Sequence, residues 1–255
     1  MEDYFRKEKN ISTKKLLLLT GSFFIISTVF SLLIYTRGGI IRDFPILNLT
    51  NKNAKRGVNS EYNDKIYKLN NSFNTDKIKI LIIGDSFGRD WANVLLESSL
   101  KNKIEVRYIS DVMNDSKADE LLKSCNLVFL SYYRFYPLNE FNEFRNKYDF
   151  KGSYYIVGVK NFGDNSGIYY NNVNNNAYCE QKAEVQKPIL DTNYKMKYCY
   201  RSKYVDILEI LKDKNDMVNV FTDDCKLISQ DTRHLTQAGA IYIGKQINLE
   251  KYIKK

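Results

Sequence analysis

Two short groups of residues carry the chemistry this sequence is equipped for: Gly84-Asp85-Ser86, and Asp231-Thr232-Arg233-His234 near the end of the chain. A serine hydroxyl attacks a carbonyl only when a base takes its proton. An imidazole does this best when a carboxylate fixes its tautomer and steadies the imidazolium. His234 is the single histidine among 255 residues, so any step that needs an imidazole runs through it. Asp231, three residues earlier, is of the right type to orient that ring. Ser86 as nucleophile, His234 as base and Asp231 as orienting acid make complementary parts of one triad, the equipment of acyl transfer through a covalent acyl-serine.

The surroundings of Ser86 favour that reading. Ile78 to Ser86, IKILIIGDS, reads as a buried strand running straight into a helix that begins Phe87-Gly88-Arg89-Asp90-Trp91. Ligands in open α/β sheets bind outside the carboxyl ends of the strands. A helix start also offers backbone N–H donors to a developing oxyanion. Gly84 is expected to allow the sharp turn between strand and helix. The competing role for Ser86 is that of a plain helix N-cap, and for His234 that of a structural residue at a helix start. Gly84-Asp85-Ser86-Phe87-Gly88 also satisfies the G-x-S-x-G nucleophile elbow of α/β-hydrolases. That fold, however, places several strands before its serine and separates its acid from its histidine. One histidine and scattered carboxylates supply no metal-ligand cluster, and nothing calls for a cofactor.

The elements that must position these residues follow from periodicity. Strands are expected at 78–83, 104–109, 127–130, 154–159 and 217–221, and helices near 87–100, 116–123 and 204–211. A last helix, capped by Thr236, carries Ile241, Ile243 and Ile247. The βαβαβ order implies a mostly parallel sheet with helices on both faces. The Asn-rich stretch 161–178 reads as a loop facing the substrate. Arg89 and Asp90 are expected to pair with Arg42 and Asp43 of the preceding connector. The tyrosines at 132, 133, 136, 154, 155, 169 and 170 are candidates for stacking on sugar rings, although with 20 tyrosines in the chain half-buried structural aromatics are the default.

Hydrophobic residues at 44% and charged residues at 27% exclude a disordered chain and a polytopic membrane protein. The net charge of +9 favours anionic surroundings, but basic residues alternate with acids and form no block of five, which argues against nucleic acid as a partner. Leu16 to Tyr35 is a run of twenty uncharged residues. At about 1.5 Å per residue it spans the roughly 30 Å core of a bilayer. It is longer than the apolar region of a cleaved signal peptide, the rival reading, and lacks a small-residue cleavage site. Lys14 and Lys15 precede it and Arg37 and Arg42 follow it, so charge places the N-terminus inside only weakly. The organisation expected is a short tail over 1–15, a transmembrane helix over 16–36, a juxtamembrane connector over 37–75 and an α/β domain over 76–255. Cys125, Cys179, Cys199 and Cys225 all follow the span, as disulfides outside the cytoplasm would. Three pairings are open to them. Cys179 with Cys199 is the favoured one because both fall in a region without a core pattern.

At Gly84-Asp85-Ser86 and Asp231-x-x-His234 the sequence resembles the SGNH (GDSL-type) hydrolase superfamily, matching its first and last blocks at the expected spacing. Three further stretches sharpen the resemblance: Thr36 to Pro45, Glu61-Tyr62-Asn63-Asp64, and Gly84 to Asn93. They look like the C-terminal half of acyltransferase family 3 proteins with a fused SGNH domain, bacterial envelope proteins in which an integral-membrane part passes an acyl group, usually acetyl, toward a periplasmic domain that modifies polysaccharides such as O-antigen. The resemblance implies an SGNH-like three-layer sandwich behind an inner-membrane helix, with the soluble domain in the periplasm. It also implies Ser86, Asp231 and His234 as catalytic residues, and an envelope polysaccharide as substrate. A separate integral-membrane acyltransferase would then supply the acyl group.

The superfamily's second and third blocks bring a Gly and an Asn as further oxyanion donors. Here the corresponding strands end Tyr108-Ile109-Ser110-Asp111 and Leu130-Ser131-Tyr132-Tyr133-Arg134. The oxyanion candidates are therefore the Ser86 N–H together with Ser110, Ser131 or Arg134. Transfer to a sugar and hydrolysis as an esterase both remain open for such a domain. A non-catalytic glycan-binding or scaffolding module docked on a membrane acyltransferase is the alternative of another class.

Overall fold

A computed structural model of the chain describes residues 12–37, 60–111, 115–135, 138–164, 179–229 and 231–253. The chain divides into two compact units, residues 1–58 and 59–255. The described part of the first is one helix, α1 (Thr13–Arg37), long and apolar enough to cross a membrane. Its leucines and phenylalanines are exposed along its length, as are Ile25 and Ile26. Its hydroxyls satisfy themselves: Thr20, Ser22, Ser27 and Thr28 each donate to the carbonyl four residues back, at 2.6–2.9 Å. Such an arrangement suits a lipid environment, which offers no water to polar groups.

The second unit is built on five parallel strands: β1 (Ile78–Gly84), β2 (Ile104–Ile109), β3 (Leu127–Ser131), β4 (Ser153–Val157) and β6 (Tyr204–Val205), in spatial order β2-β1-β3-β4-β6. Ile80, Leu81, Ile82 and Ile83 are fully buried, because a parallel sheet is covered on both faces and its strands carry continuous apolar runs. Helices α2 (Ser60–Tyr67), α3 (Ser86–Glu97), α4 (Ala118–Ser124), α5 (Leu138–Lys147), α6 (Lys187–Tyr200), α7 (Ile207–Leu211), α8 (Gln237–Gln246) and α9 (Glu250–Ile253) flank it. A small antiparallel pair, β5 (Lys182–Glu184) with β7 (Met217–Asn219), lies apart from the main sheet. The chain leaves β1 toward β2 on one side and returns to β3 on the other. The carboxyl end of β1 is therefore the topological switch point, where such sheets open a crevice.

The α/β architecture, the parallel sheet and the N-terminal apolar helix are as the sequence predicts, with differences in detail. Residues 204–211 are not one helix: Tyr204 and Val205 add an edge strand to β4, and Asp206 caps the short α7 by accepting from the Glu209 N–H at 3.1 Å. The strand expected at 217–221 closes at Asn219 and pairs outside the main sheet. Residues 187–200, without a recognised core pattern, form α6, whose buried stripe is Ile189, Asn193, Met196 and Tyr200. One member of that stripe is polar: Asn193 donates to Asp206 at 3.0 Å and accepts from the Tyr204 hydroxyl.

The favoured disulfide is corrected by the same helix. Cys199 sits exposed near the end of α6 with a free thiol, and Cys179 is bridged to Cys225, whose Cα lies 5.1 Å away. Cys125 is the other free thiol among the described residues.

Candidate active site

Gly84 ends β1 directly beside Ser131 of β3. A Cβ on Gly84 would lie 1.8 Å from the Ser131 carbonyl oxygen. The glycine is required by this close approach and not by its φ, which is not in the positive region. The Tyr108 hydroxyl, reaching over from β2, donates to the Gly84 carbonyl at 2.8 Å and closes the strand end from the other side.

Asp85 is the N-cap of α3, its Oδ1 accepting from the Phe87 N–H at 2.8 Å. Its Oδ2 accepts from the Tyr133 N–H at 3.0 Å, tying the helix start to the segment after β3. Because Asp85 holds the cap, the Ser86 hydroxyl is not engaged as one. Ser86 is the first residue of α3, so its N–H has no intrahelical acceptor and faces the positive end of the helix dipole.

The structure brings Ser86, His234 and Asp231 together across 148 residues of chain. The Ser86 Oγ lies 2.8 Å from His234 Nε2, and His234 Nδ1 bonds to Asp231 Oδ2. Asp231 Oδ1 accepts two backbone N–H groups as well, from His234 at 2.7 Å and Arg233 at 3.1 Å. Partial burial works to raise the Asp231 carboxyl, but the His234 ring and these two N–H donors outweigh it and hold the group well below the usual carboxylate range. An ionised Asp231 accepts the Nδ1 proton, which leaves Nε2 unprotonated and facing the serine hydroxyl, the tautomer a general base needs.

Around the triad lies an aromatic rim. Phe87 packs edge-on to the His234 ring at 6.5 Å between centroids and against Tyr133 at 5.4 Å. The exposed Arg233 guanidinium lies over the Tyr133 ring at 4.8 Å.

The remaining candidates divide by position. Register pairs Gly84 with Ser131 and Ile83 with Ile109, so Ser131 and Ser110 border the end of β1 on opposite sides. Ser131 is buried, whereas Ser110 and Arg134 are exposed. Arg42, Asp43, Tyr136, Tyr169 and Tyr170, and residues 165–178 of the Asn-rich loop, lie outside the described residues. No group of three or more His, Cys, Asp or Glu side chains placed to hold a metal ion occurs among the described residues.

Beside the triad lies a buried ionic cluster whose partners the sequence does not disclose. Asp90, one turn of α3 beyond Ser86, is buried. It accepts from Arg89 Nη2 at 2.9 Å, pairs with the buried Lys160 Nζ at 3.0 Å, and accepts from the Leu235 N–H at 2.9 Å. Lys160 follows β4 and also stands 3.5 Å over the Phe87 ring. A charged residue one turn after a helix start carries no local sign of burial. Only the fold reveals that partners 70 and 145 residues away converge on it.

No family model and no curated protein matches this chain. Among solved structures it is similar to the lipopolysaccharide acetyltransferase periplasmic domain of Salmonella ser. Paratyphi A, with 11% identity and a TM-score of 0.53 over 76% of this chain and 95% of that one. It is also similar to a Streptococcus pneumonia protein provisionally described as a platelet activating factor, with 15% identity and a TM-score of 0.44 over 76% of this chain and 91% of that one. The first likeness shows a shared α/β fold with a mostly parallel sheet, consistent with the expected SGNH-like sandwich.

Proposed function

We propose that this chain is a membrane-anchored serine acyl-transfer enzyme acting on O-acyl groups, O-acetyl foremost, of a bacterial cell-envelope polysaccharide. The observation that carries the reading is the Ser86 Oγ at 2.8 Å from a His234 Nε2 whose other ring nitrogen is bonded to Asp231. His234 takes the Ser86 proton as Oγ attacks the acyl carbonyl, and Asp231 steadies the imidazolium. The carbonyl oxygen, now negative, accepts from the Ser86 N–H at the start of α3, with Ser131 or Ser110 as the neighbouring second donor and Arg134 the more remote candidate. Collapse of the tetrahedral intermediate expels the donor's leaving group, which takes the proton back from His234, and an acyl ester on Oγ remains. A sugar hydroxyl, deprotonated by His234, then attacks that ester and carries the acyl group away. Water in its place gives hydrolysis.

Residues 16–36 would anchor the protein as a single inner-membrane span after a cytoplasmic tail of 1–15. Residues 37–75 would connect to a periplasmic catalytic domain over 76–255. The fused acyltransferase family 3 resemblance supports this assignment. So does the similar fold of a periplasmic domain whose description names lipopolysaccharide acetyl transfer. In this arrangement a separate integral-membrane acyltransferase delivers the acyl group.

The test uses the full chain in detergent with p-nitrophenyl acetate, comparing wild type, Ser86→Ala and His234→Ala, with and without an acetyl-accepting oligosaccharide. Ester cleavage lost in both variants is expected, with acetyl recovered on the sugar. Cleavage equal in all three proteins overturns the enzymatic reading and leaves the glycan-binding module.

A further inference from the structure

Resting on that reading, we infer that Asp90 is a positioning residue for His234. It clamps the histidine turn onto the serine's own helix through the Leu235 N–H, with Lys160 and Arg89 balancing its charge. The turn that carries the triad acid and base is bridged at Leu235 to Ser229, with the Thr236 N–H donating to the Ile228 carbonyl at 3.0 Å, and two further bonds tie it to the elements around Ser86. At its start, the Phe162 N–H donates to the Thr232 carbonyl at 2.8 Å. At its end, the Leu235 N–H donates to Asp90 Oδ2 at 2.9 Å. His234 lies between these two grips.

The turn needs them, because Thr232, a β-branched residue, is held at φ 72°, in the left-handed region such residues avoid. Conformations of this kind persist only where the surroundings over-determine them. Both grips come from one short stretch and its partner: Lys160 and Phe162 follow β4, and Lys160 pairs with the carboxylate that holds Leu235. Asp90 is itself on α3, four residues after Ser86. The nucleophile and the far end of the histidine turn thus share one rigid element.

A buried carboxylate between two cations is a poor way simply to stabilise a fold, since apolar residues of equal volume do as well. Burial also works to lower the Lys160 ammonium from its ordinary range, although Asp90 opposes it. What the network supplies beyond stability is a fixed acceptor for one backbone N–H next to the base. A misplacement of about 1 Å in such a constellation lowers rate by up to about 10²-fold.

The test separates the acceptor from the charge. In the full chain in detergent, K160M removes the buried cation, and Asp90 is then replaced by Asn, which keeps an oxygen for Leu235, or by Ala, which does not. D90N/K160M is expected to cleave p-nitrophenyl acetate with a kcat about 10-fold or more above that of D90A/K160M, at similar KM and melting temperature. Equal kcat in the two folded double variants, with wild-type activity still abolished by Ser86→Ala, overturns the positioning role and leaves the triad reading standing. Wild-type cleavage that survives Ser86→Ala overturns both.

If D90A/K160M does not fold, D90L/K160M, which fills the volume without offering an acceptor, takes its place and is compared with D90N/K160M through the low-field Nδ1–H proton resonance of the chain's one histidine. Exchange broadening in D90L/K160M relative to D90N/K160M upholds the clamp, and equal resonances overturn it.

Discussion

Gly84 and Gly88 flank Ser86 in the same G-x-S-x-G pattern, yet the structure separates them sharply, and Gly84→Ala against Gly88→Ala is a direct test of how the site is built. An added Cβ at Gly84 would stand 1.8 Å from the Ser131 carbonyl oxygen, where an ordinary contact begins near 3.4 Å. Relieving it requires the ends of β1 and β3 to part by about 1.6 Å. Overpacking of this kind destabilises by about 1–3 kcal/mol, and a lost ladder hydrogen bond adds about 1 kcal/mol. For a unit of this size a loss of about 2–4 kcal/mol lowers the melting temperature by about 4–16 °C. The shift falls on the residue before Asp85 and moves Ser86 relative to His234, so esterase activity measured well below the melt should drop by about 10²-fold.

Gly88 is different. Its Cβ would meet the same carbonyl at 3.3 Å, a contact that tenths of an ångström relieve. Inside a helix, alanine also recovers up to about 1 kcal/mol over glycine. Gly88→Ala should therefore leave the melting temperature within about 4 °C of wild type and retain most activity. The pair is read by thermal unfolding followed by circular dichroism and by p-nitrophenyl acetate turnover. Equal damage from the two substitutions, or a Gly84→Ala protein as stable and active as wild type, would refute the close-approach explanation of Gly84.

Two further outcomes are expected. Because the folded Asp231 carboxyl is held below its unfolded value of about 3.9, the unfolded chain takes up a proton first as pH falls. The stability this group contributes is therefore present above about pH 4–5 and fades as pH drops toward the folded value. The stability gap between wild type and Asp231→Asn in urea unfolding should narrow between about pH 5 and pH 3, and a gap independent of pH would contradict the depressed carboxyl. In alkylation of the unreduced native protein, exposed Cys199 should label fast. Cys125, whose thiol burial pushes up to about 12, should label slowly, and Cys179 and Cys225 only after reduction. Labelling of all four without reductant would remove the bridge.

Much of the site is legible in the sequence. The continuous apolar run IKILIIG marks a buried parallel strand, because both of its faces are covered. Its abrupt end in Gly-Asp-Ser places a nucleophile at the carboxyl edge of a sheet. With one histidine in the chain an imidazole base has no rival, and the aspartate three residues before it is the candidate orienting acid. These are local signals, written in residue type and short spacing. What the chain alone did not disclose depends on distance.

Asp85 rather than Ser86 serves as the helix cap, and the Ser86 hydroxyl meets a partner 148 residues away. Cys179 meets Cys225 instead of Cys199. A polar member in the buried stripe of α6 hides its helical period, and Tyr204 joins a strand because β4 offers it an open edge. Asp90, Lys160 and Leu235 become one network only when α3, the segment after β4 and the histidine turn are packed against each other. Periodicity reports which face of an element is apolar. Which polar groups that face will bury, and against what, is set by partners that only the tertiary structure brings within reach.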